Sequence, residues 1–229
     1  MTEMPDTRPP FRRREKRSWL LLISILLFFT LAPLLEGHKI GGLLLILNLY
    51  VTLVAATSEL ADKRGLFWSA IPIAALSMIL LLASHYRPVW PLVFASDLVL
   101  TSFLMLVSVS LFIYLGERGQ ITKARLLISV SLYFLLGLSW FALYNVISTV
   151  EPGSFAEAGK ALTGDNTHWS SMLYFSLVTL TTLGYGDIVA VKPFARMIAT
   201  LESSAGVLYI AITVARLVGA SSAPKEHEH

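Results

Sequence analysis

Six long apolar runs constrain this 229-residue chain more than any other feature of its sequence. A helix of roughly 20 apolar residues crosses a bilayer core about 30 Å thick, and lipid admits only helices or closed barrels. Charged residues make up 14% of the chain, too few to cover a soluble protein. The sequence therefore predicts an all-α membrane protein with six transmembrane helices. Their expected bounds are Ser18–Leu35, Ile40–Thr57, Leu66–Ser84, Trp90–Leu115, Lys123–Thr149 and Pro193–Val218.

The basic residues are divided unequally between the two ends of these helices. With residues 1–17 in the cytoplasm as a basic N-terminal segment, thirteen of the 18 Lys and Arg lie on that side and five on the other, as the positive-inside rule requires. We therefore expect a multi-pass protein of the plasma or inner membrane with both termini in the cytoplasm. The first run is long for a signal-peptide core and lacks a clear cleavage site, so we expect it to be retained.

A shorter apolar segment interrupts the pattern between the fifth and sixth helices. Residues 168–180 are apolar and aromatic, but about thirteen residues are too few to cross the bilayer. Polar residues 151–167 precede them, on the outer side, and a stretch rich in Thr and Gly follows. Non-helical backbone at membrane depth is tolerated only where protein surrounds it or where it lines a water-filled path. The pattern predicts a re-entrant helix beside a pore or a wet cavity.

The stretch after this segment suits the replacement of a cation's water by backbone oxygens. Aiming successive carbonyls to one side needs unusual backbone angles, and Gly184 and Gly186 reach positive φ at little cost. Leu183 and Tyr185 alternate with these glycines and can pack away from the path. Thr182 adds a hydroxyl at the inner mouth. We call the five residues 182–186 the filter segment.

The residues from Thr179 to Asp187 resemble the signature of the tetrameric potassium channels, Thr-x-x-Thr-x-Gly-Tyr-Gly-Asp, at every defined position. The order of span, re-entrant helix, filter and span extends the resemblance over roughly residues 123–219. The chain is similar to prokaryotic-type six-span channels of the voltage-gated-like superfamily, whereas a bare Gly-Tyr-Gly would indicate only a turn. The resemblance implies K⁺ coordination by the carbonyls of Thr182, Leu183, Gly184 and Tyr185, with Gly186 completing the filter. One chain supplies one filter segment and a closed ring needs four, so we expect a homotetramer.

The resemblance also implies roles for residues next to the filter. The candidates for filter support and the outer mouth are Thr179, Thr181, Asp187 and Tyr174. Tyr174 and Phe175 stand where many similar channels have a pair of tryptophans, and Val178 stands where some have a glutamate. Asp187 therefore lacks one familiar partner, and we expect Tyr174 or Trp169 to donate to it instead.

The sixth helix, residues 193–218, contains two candidates for gating. Gly206 lies where similar channels bend the inner helix, although a small residue there is equally suited to close helix packing. Glu202 is an intramembrane carboxylate, and we expect it to accept hydrogen bonds from hydroxyls, to face water or to be protonated; a proton-sensing role is the alternative. By resemblance, one stripe of this helix lines the inner cavity. Its members are Ser203, Val207, Ile210 and Val214.

The first four helices, within residues 18–120, have the layout of a voltage-sensor domain without its charges. Residues 90–115 contain no Arg or Lys, and their one charge is Asp97. Voltage sensing needs several positive charges in the membrane field, so we expect little or no voltage dependence. We expect the tail of residues 220–229 to be a short cytoplasmic segment without a ligand-binding gating domain. The gating stimulus stays open among lipids, a partner and protons, for which outer histidines His38, His85 and His168 are candidates.

The sequence thus predicts a potassium-selective channel subunit rather than an enzyme, since it offers no nucleophile–base pair and no metal-ligand spacing. The expected pore domain is residues 121–219. The expected partners are K⁺ as the permeant ion, the lipid bilayer and three further copies of the chain, with no cofactor and no nucleic acid. A poorly selective cation channel and a non-conducting scaffold that keeps the pore fold are the alternatives.

Overall fold

The computed structural model describes residues 10–35, 39–59, 64–117, 122–163 and 169–221. Within these ranges the chain forms seven helices and three short strands. The helices are α1 (Pro10–Leu35), α2 (Lys39–Glu59), α3 (Arg64–Tyr86), α4 (Trp90–Gly116), α5 (Lys123–Val150), α6 (Trp169–Leu180) and α7 (Pro193–Ser221). The strands are β1 (Phe155–Glu157), β2 (Lys160–Ala161) and β3 (Ile188–Ala190).

All six predicted long helices are present, with bounds that differ mainly at α1. We expected α1 to begin at Ser18, after a separate basic segment, but the helix already begins at Pro10. Proline is favoured in the first turn because its missing N–H has no helical acceptor there. The basic residues that follow are good helix formers, so the helix continues through them into the apolar run.

Five of the described helices are long and apolar enough to cross a membrane, namely α1, α2, α4, α5 and α7. The described apolar part of α3, residues 70–86, is shorter than that criterion, so the sixth crossing stays a prediction. The chain is a multi-pass membrane protein. His38 and His168, together with residues 1–9 and 222–229, lie outside the described part of the chain.

Contacts between helix ends confirm that neighbouring helices alternate in direction. At one end of the molecule, the guanidinium groups of Arg14 and Arg125 lie 4.5 and 5.4 Å from the ring centre of Tyr114. Arg216 of α7 lies 5.3 Å from the ring centre of Phe112. The start of α1, the end of α4, the start of α5 and the end of α7 therefore meet at one basic end.

Helix α5 occupies the centre of the fold and contacts α1, α4, α6 and α7. Its buried positions include adjacent residues, such as Leu138 with Ser139 and Phe141 with Ala142, and so cover more than one face of the helix. They include Ile128, Leu132, Leu135, Leu138, Phe141 and Tyr144. Because α5 contacts helices of both predicted domains, it belongs to one continuous apolar core that includes residues of both.

A three-stranded sheet with order β2-β1-β3 lies at the end of the molecule opposite the basic end. Strands β1 and β2 form a hairpin, and β1 also pairs antiparallel with β3. We expected the polar stretch of residues 151–167 on the outer side and predicted no strand in it, whereas its residues 155–157 and 160–161 form β1 and β2. The strands are only two or three residues long, too short for a periodic pattern to indicate them.

The absence of cysteine from the chain allows a direct test of these two ends. Lys123, at the start of α5, and Lys160, in β2, are both exposed lysines at opposite ends of the fold. In vesicles containing uniformly oriented protein, we expect Lys123→Cys and Lys160→Cys to react with a membrane-impermeant thiol reagent from opposite sides. Labelling of both variants from the same side would contradict the fold.

Candidate pore site

Helix α6 and the segment that follows it form the candidate site. The twelve residues of α6 span about 18 Å at 1.5 Å per residue, less than a bilayer core. The helix packs against α5 and α7, with its buried positions Met172, Leu173, Phe175 and Ser176 on these neighbours. The expected short helix is present, and a non-helical segment follows it.

The filter segment has positive φ at every second residue. Thr182, Gly184 and Gly186 have φ of +60°, +58° and +79°. Leu183 and Tyr185, which lie between them, have negative φ. The two glycines were predicted to adopt such angles, but Thr182 was not, because a residue with a β-branched side chain rarely has positive φ. The alternation turns successive N–H groups to one side and successive carbonyl groups to the other.

The N–H side of the filter segment faces α6. The N–H groups of Leu183 and Gly184 donate to the carbonyl oxygen of Val178 at 2.9 and 3.3 Å. Before them, Thr182 N–H donates to the Thr179 carbonyl at 3.0 Å, and the Thr181 hydroxyl donates to the Leu177 carbonyl at 2.7 Å. With these N–H groups bonded to the helix, the carbonyl groups of the segment are directed away from it.

Two glycines let α6 lie close to its neighbours. A Cβ added to Gly206 of α7 would overlap the carbonyl oxygen of Leu180, the last residue of α6. A Cβ added to Gly137 of α5 would lie 3.1 Å from Leu177 Cδ2, tighter than ordinary packing. Of the two interpretations of Gly206, the structure supports close packing directly, since any larger residue would displace α6. A bend of α7 at this position stays a prediction.

Glu202 is fully buried at the junction of α5, α6 and α7. The Tyr144 hydroxyl of α5 donates to its Oε2, and Ser176 Oγ of α6 lies 2.5 Å from its Oε1. The expectation that nearby hydroxyls would satisfy this carboxyl group is confirmed. The cluster of Glu202, Tyr144 and Ser176 links α5, α6 and α7 by hydrogen bonds.

The hydrogen bonds of this cluster indicate that Glu202 carries a proton. Ser176 Oγ is also 2.8 Å from the Gly137 carbonyl oxygen, and a hydroxyl has one hydrogen to donate. If Ser176 donates to Gly137, its contact with Glu202 is satisfied when Glu202 carries the proton and donates to Ser176. When Glu202 is neutral, all the hydrogen bonds of Tyr144, Ser176 and Glu202 in the cluster can form together. The neutral form also avoids an unpaired charge within the membrane.

At the outer end, Tyr174 takes the place of the missing partner of Asp187. Its hydroxyl donates to Asp187 Oδ2 at 2.7 Å, as the sequence analysis allowed. The backbone N–H of Ile188 donates to Oδ1 at 3.0 Å. The bond from Tyr174, followed by the one from Ile188, lowers the pKa of the Asp187 carboxyl below its ordinary value. Asp187 is therefore an exposed carboxylate fixed in position at the end of the filter segment.

An aromatic cluster behind the filter segment was not predicted. Phe155 of β1 is fully buried, with its ring centre 5.2 Å from that of Tyr144 and 5.3 Å from that of Phe175. The rings of Tyr144 and Phe175 are 5.0 Å apart. These residues come from β1, α5 and α6, so contacts between distant parts of the sequence create the cluster. The one local signal was an aromatic residue within a polar stretch.

The comparisons with known proteins agree with this geometry. Residues 129–221 match the family model described as an ion channel. The chain is 29% identical over 90 residues to the inward rectifier potassium channel Kirbac3.1 of Paramagnetospirillum magnetotacticum, covering 39% of this chain and 26% of that protein. It is 37% identical over 67 residues to the potassium voltage-gated channel protein shk-1 of Caenorhabditis elegans, covering 28% and 12%. Residues 129–221 are therefore similar to an ion channel family and to parts of these potassium channels.

A third similar protein is the potassium voltage-gated channel subfamily A member 10 of Mus musculus. It is 37% identical over 87 residues, which are 36% of this chain and 16% of that protein. The chain thus spans about a quarter or less of the length of the curated relatives it matches. No solved structure matches the chain.

Residues 169–221 expose large apolar side chains in the single chain. Leu183 and Tyr185 of the filter segment are 54% and 68% exposed. In α7 only 17% of the apolar span is buried, compared with 56% in α5. Ser203 is half-buried, and the other three residues of the predicted cavity stripe are exposed, namely Val207, Ile210 and Val214. The described part of the chain leaves these side chains uncovered.

Asp97 of α4 is buried against α5. The hydroxyl of Thr149, near the end of α5, donates to its Oδ2 at 3.4 Å. Trp90, at the start of α4, donates to the carbonyl oxygen of the same threonine at 3.0 Å. The one charge of the fourth helix therefore helps to attach the first four helices to α5.

Removing the Tyr144 hydroxyl tests the buried cluster. We expect Tyr144→Phe to lower the free energy of unfolding by about 1–3 kcal/mol, because a buried oxygen of Glu202 loses its donor. Thermal unfolding of the purified protein in detergent measures the change. The matched control is Tyr133→Phe, whose hydroxyl is half-buried and makes a longer bond, 3.4 Å, to the Leu180 carbonyl. Equal decreases in the free energy of unfolding for the two variants would contradict a larger contribution of the Glu202 cluster to stability.

Proposed function

We propose that the chain is the subunit of a potassium-selective channel that conducts K⁺ passively through the filter segment. The observation that carries the proposal is the alternation of φ at Thr182, Gly184 and Gly186, with the N–H groups of the segment bonded to α6. A strand of this kind presents a row of carbonyl oxygens on its other side. Such a row can replace the water of a dehydrated cation.

The coordinating oxygens in this proposal are backbone carbonyls of the filter segment. They belong to Thr182, Leu183, Gly184 and Tyr185, while Gly186 permits the turn toward the outer mouth. The Thr179 and Thr181 contacts with the last turn of α6 hold the entry to the segment. The carboxyl end of α6 points to the same place, and the negative end of a helix dipole favours a cation there.

We propose a homotetramer because one chain supplies one quarter of a carbonyl ring. Cyclic symmetry places identical segments around a common axis. The exposed side chains of Leu183 and Tyr185 would then pack against neighbouring subunits, and the exposed face of α7 would pack there and line the inner cavity. A face of this size and apolarity is a candidate interface rather than a solvated surface.

The proposed orientation places the basic end of the fold in the cytoplasm and the sheet outside. Asp187 then forms a ring of carboxylates at the outer mouth, which would concentrate cations. The pore domain is residues 121–219, and residues 18–120 form a sensor-like domain. We propose weak voltage dependence, because α4 contains neither Arg nor Lys. A conductance that rises steeply with voltage, with its gating charge on α4, would contradict this part.

The function is tested by the reversal potential of purified protein in planar bilayers with K⁺ on one side and Na⁺ on the other. A potassium-selective pore gives a reversal potential close to the K⁺ equilibrium value. A reversal potential near zero would identify a poorly selective cation channel. An absence of current from correctly assembled protein would identify a non-conducting scaffold.

A substitution at Gly186 tests the backbone geometry of the filter. We expect Gly186→Ala to lower the K⁺ over Na⁺ permeability ratio about tenfold or more, since positive φ costs an L-residue about 1–2 kcal/mol. The measurement is the reversal potential described above. The matched control is Gly153→Ala, because Gly153 has the same φ of +79° but lies outside the filter. Equal K⁺ over Na⁺ permeability ratios in the two variants would contradict the requirement for glycine at position 186.

The pH dependence of conduction tests the outer mouth. The hydrogen bond from Tyr174 lowers the pKa of Asp187, so the carboxylate stays charged to lower external pH. In Tyr174→Phe the pKa of Asp187 rises, and external protons should inhibit K⁺ flux at a higher pH than in the wild type. Tyr86→Phe, which alters an exposed tyrosine at the same end of the fold, is the control. An unchanged pH of half-inhibition in Tyr174→Phe would contradict the proposal that Tyr174 keeps Asp187 charged at the outer mouth.

A further inference from the structure

The chain that leaves the filter segment is attached to the hairpin of β1 and β2. Strand β3 begins directly after Asp187 and pairs with β1 in the register Phe155↔Ala190, Ala156↔Val189 and Glu157↔Ile188. Two further backbone bonds extend the ladder. Ala158 N–H donates to the Asp187 carbonyl at 3.0 Å, and Val191 N–H donates to the Ser154 carbonyl at 2.8 Å. We call these paired backbones, residues 154–158 and 187–191, the outer seam.

The turn of the hairpin fixes the position of one of these donors, the N–H of Ala158. Its two-residue turn has Ala158 at φ +48° and Gly159 at φ +79°, the pair of left-handed residues that a tight hairpin prefers. Ala158 thus adopts an angle that favours glycine, and its N–H bonds the carbonyl of Asp187. The turn therefore contacts the backbone at the last residue before β3.

The inner side of the outer seam is fixed to the helices behind the filter. Phe155 of β1 packs on Tyr144 and Phe175, and Tyr144 in turn donates to Glu202. The start of the filter segment is bonded to α6 through Val178, and its end is linked back to α6 through β3, β1 and Phe155. Both ends of the segment are therefore attached to the same short helix.

We propose that the outer seam is a positioning element of the pore, whose closed form keeps the filter segment in its conducting arrangement. Opening of the seam releases the exit of the segment, and conduction then ceases. The inference rests on the proposed function, because it concerns the segment assigned there as the filter. It adds residues 154–158 of the outer hairpin to the groups that determine whether the filter conducts.

Cysteine pairs test the seam in a chain that has no native cysteine. Glu157→Cys with Ile188→Cys links β1 to β3 across the seam. Ala156→Cys with Ala161→Cys links β1 to β2 and leaves β3 untouched. Both are non-hydrogen-bonded pairs of an antiparallel ladder, with Cα atoms about 4.5 Å apart, a separation that a disulfide can bridge. Each double variant is compared with itself, oxidised and then reduced, so the effect of the substitutions themselves cancels.

The readout is the decay of K⁺ current after external K⁺ is lowered, together with Na⁺ permeability during the decay. We expect oxidation of the 157–188 pair to slow the decay about fivefold or more. The disulfide protects at least one backbone hydrogen bond of the seam, and the free energy of one such bond changes an opening equilibrium by about that factor. Reduction should restore the faster decay. Oxidation of the 156–161 pair should leave its own rate unchanged.

A second pair of variants weakens the seam without a crosslink. Ala158→Pro removes the N–H that bonds Asp187 and cannot adopt positive φ, so we expect faster decay and a higher Na⁺ permeability. Ala158→Gly keeps the N–H and suits the turn, so its decay should be as slow as that of the wild type or slower. If the wild-type current does not decay, Ala158→Pro should introduce decay.

Several results would overturn the proposal. They are equal decay in the oxidised and reduced 157–188 variant, loss of conduction on oxidation, failure of that disulfide to form, and equal decay in the two Ala158 variants. A failure of the proposed function is distinguishable, because the wild-type protein would then show no K⁺-selective current before any cysteine is introduced.

Discussion

The carbonyl oxygen of Val178 accepts hydrogen bonds from two successive N–H groups of the filter segment, at 2.9 and 3.3 Å. This is possible only because the backbone alternates between left-handed and right-handed residues from Thr182 onward. The same alternation directs the carbonyls to the opposite side. The position of α6 therefore determines where the carbonyls lie, and the surrounding structure serves to hold α6.

The contacts that hold α6 are short and come from both neighbouring helices. Gly206 admits it at a distance that a larger side chain would prevent, and Gly137 lies in tight contact with Leu177. The cluster around Glu202 then fixes α5, α6 and α7 relative to one another through hydrogen bonds, whose geometry is more specific than that of apolar contacts. Apolar packing alone provides little driving force between helices in lipid, which gives polar contacts such as these a larger part in fixing the arrangement.

The sequence predicted those features that arise from local patterns. Apolar runs indicated the long helices, their basic flanks indicated a common basic end, and the spacing of Gly184 and Gly186 indicated the filter backbone. Tyr174 was recognised as a donor for Asp187 because the resemblance to a family exposed a missing partner.

The features that were missed depend on contacts between distant residues. The sheet joins residues 155–161 to residues 188–190 through backbone bonds, which have no side-chain signature over so few residues. Phe155 looked like an isolated aromatic residue until the fold placed it between Tyr144 and Phe175. The helical start at Pro10 was missed because the basic segment was interpreted as an orientation signal alone.

The central claim is that four copies of the filter segment surround one ion path. The most direct measurement is a cryo-electron microscopy map of the purified protein in lipid nanodiscs, recorded in K⁺ and in Na⁺. The account predicts four subunits and, in K⁺, a row of densities on the fourfold axis at the level of Thr182 to Tyr185 that changes when Na⁺ replaces K⁺. A map in which the four segments do not meet at an axis, or in which the axial density is the same in both salts, would contradict it.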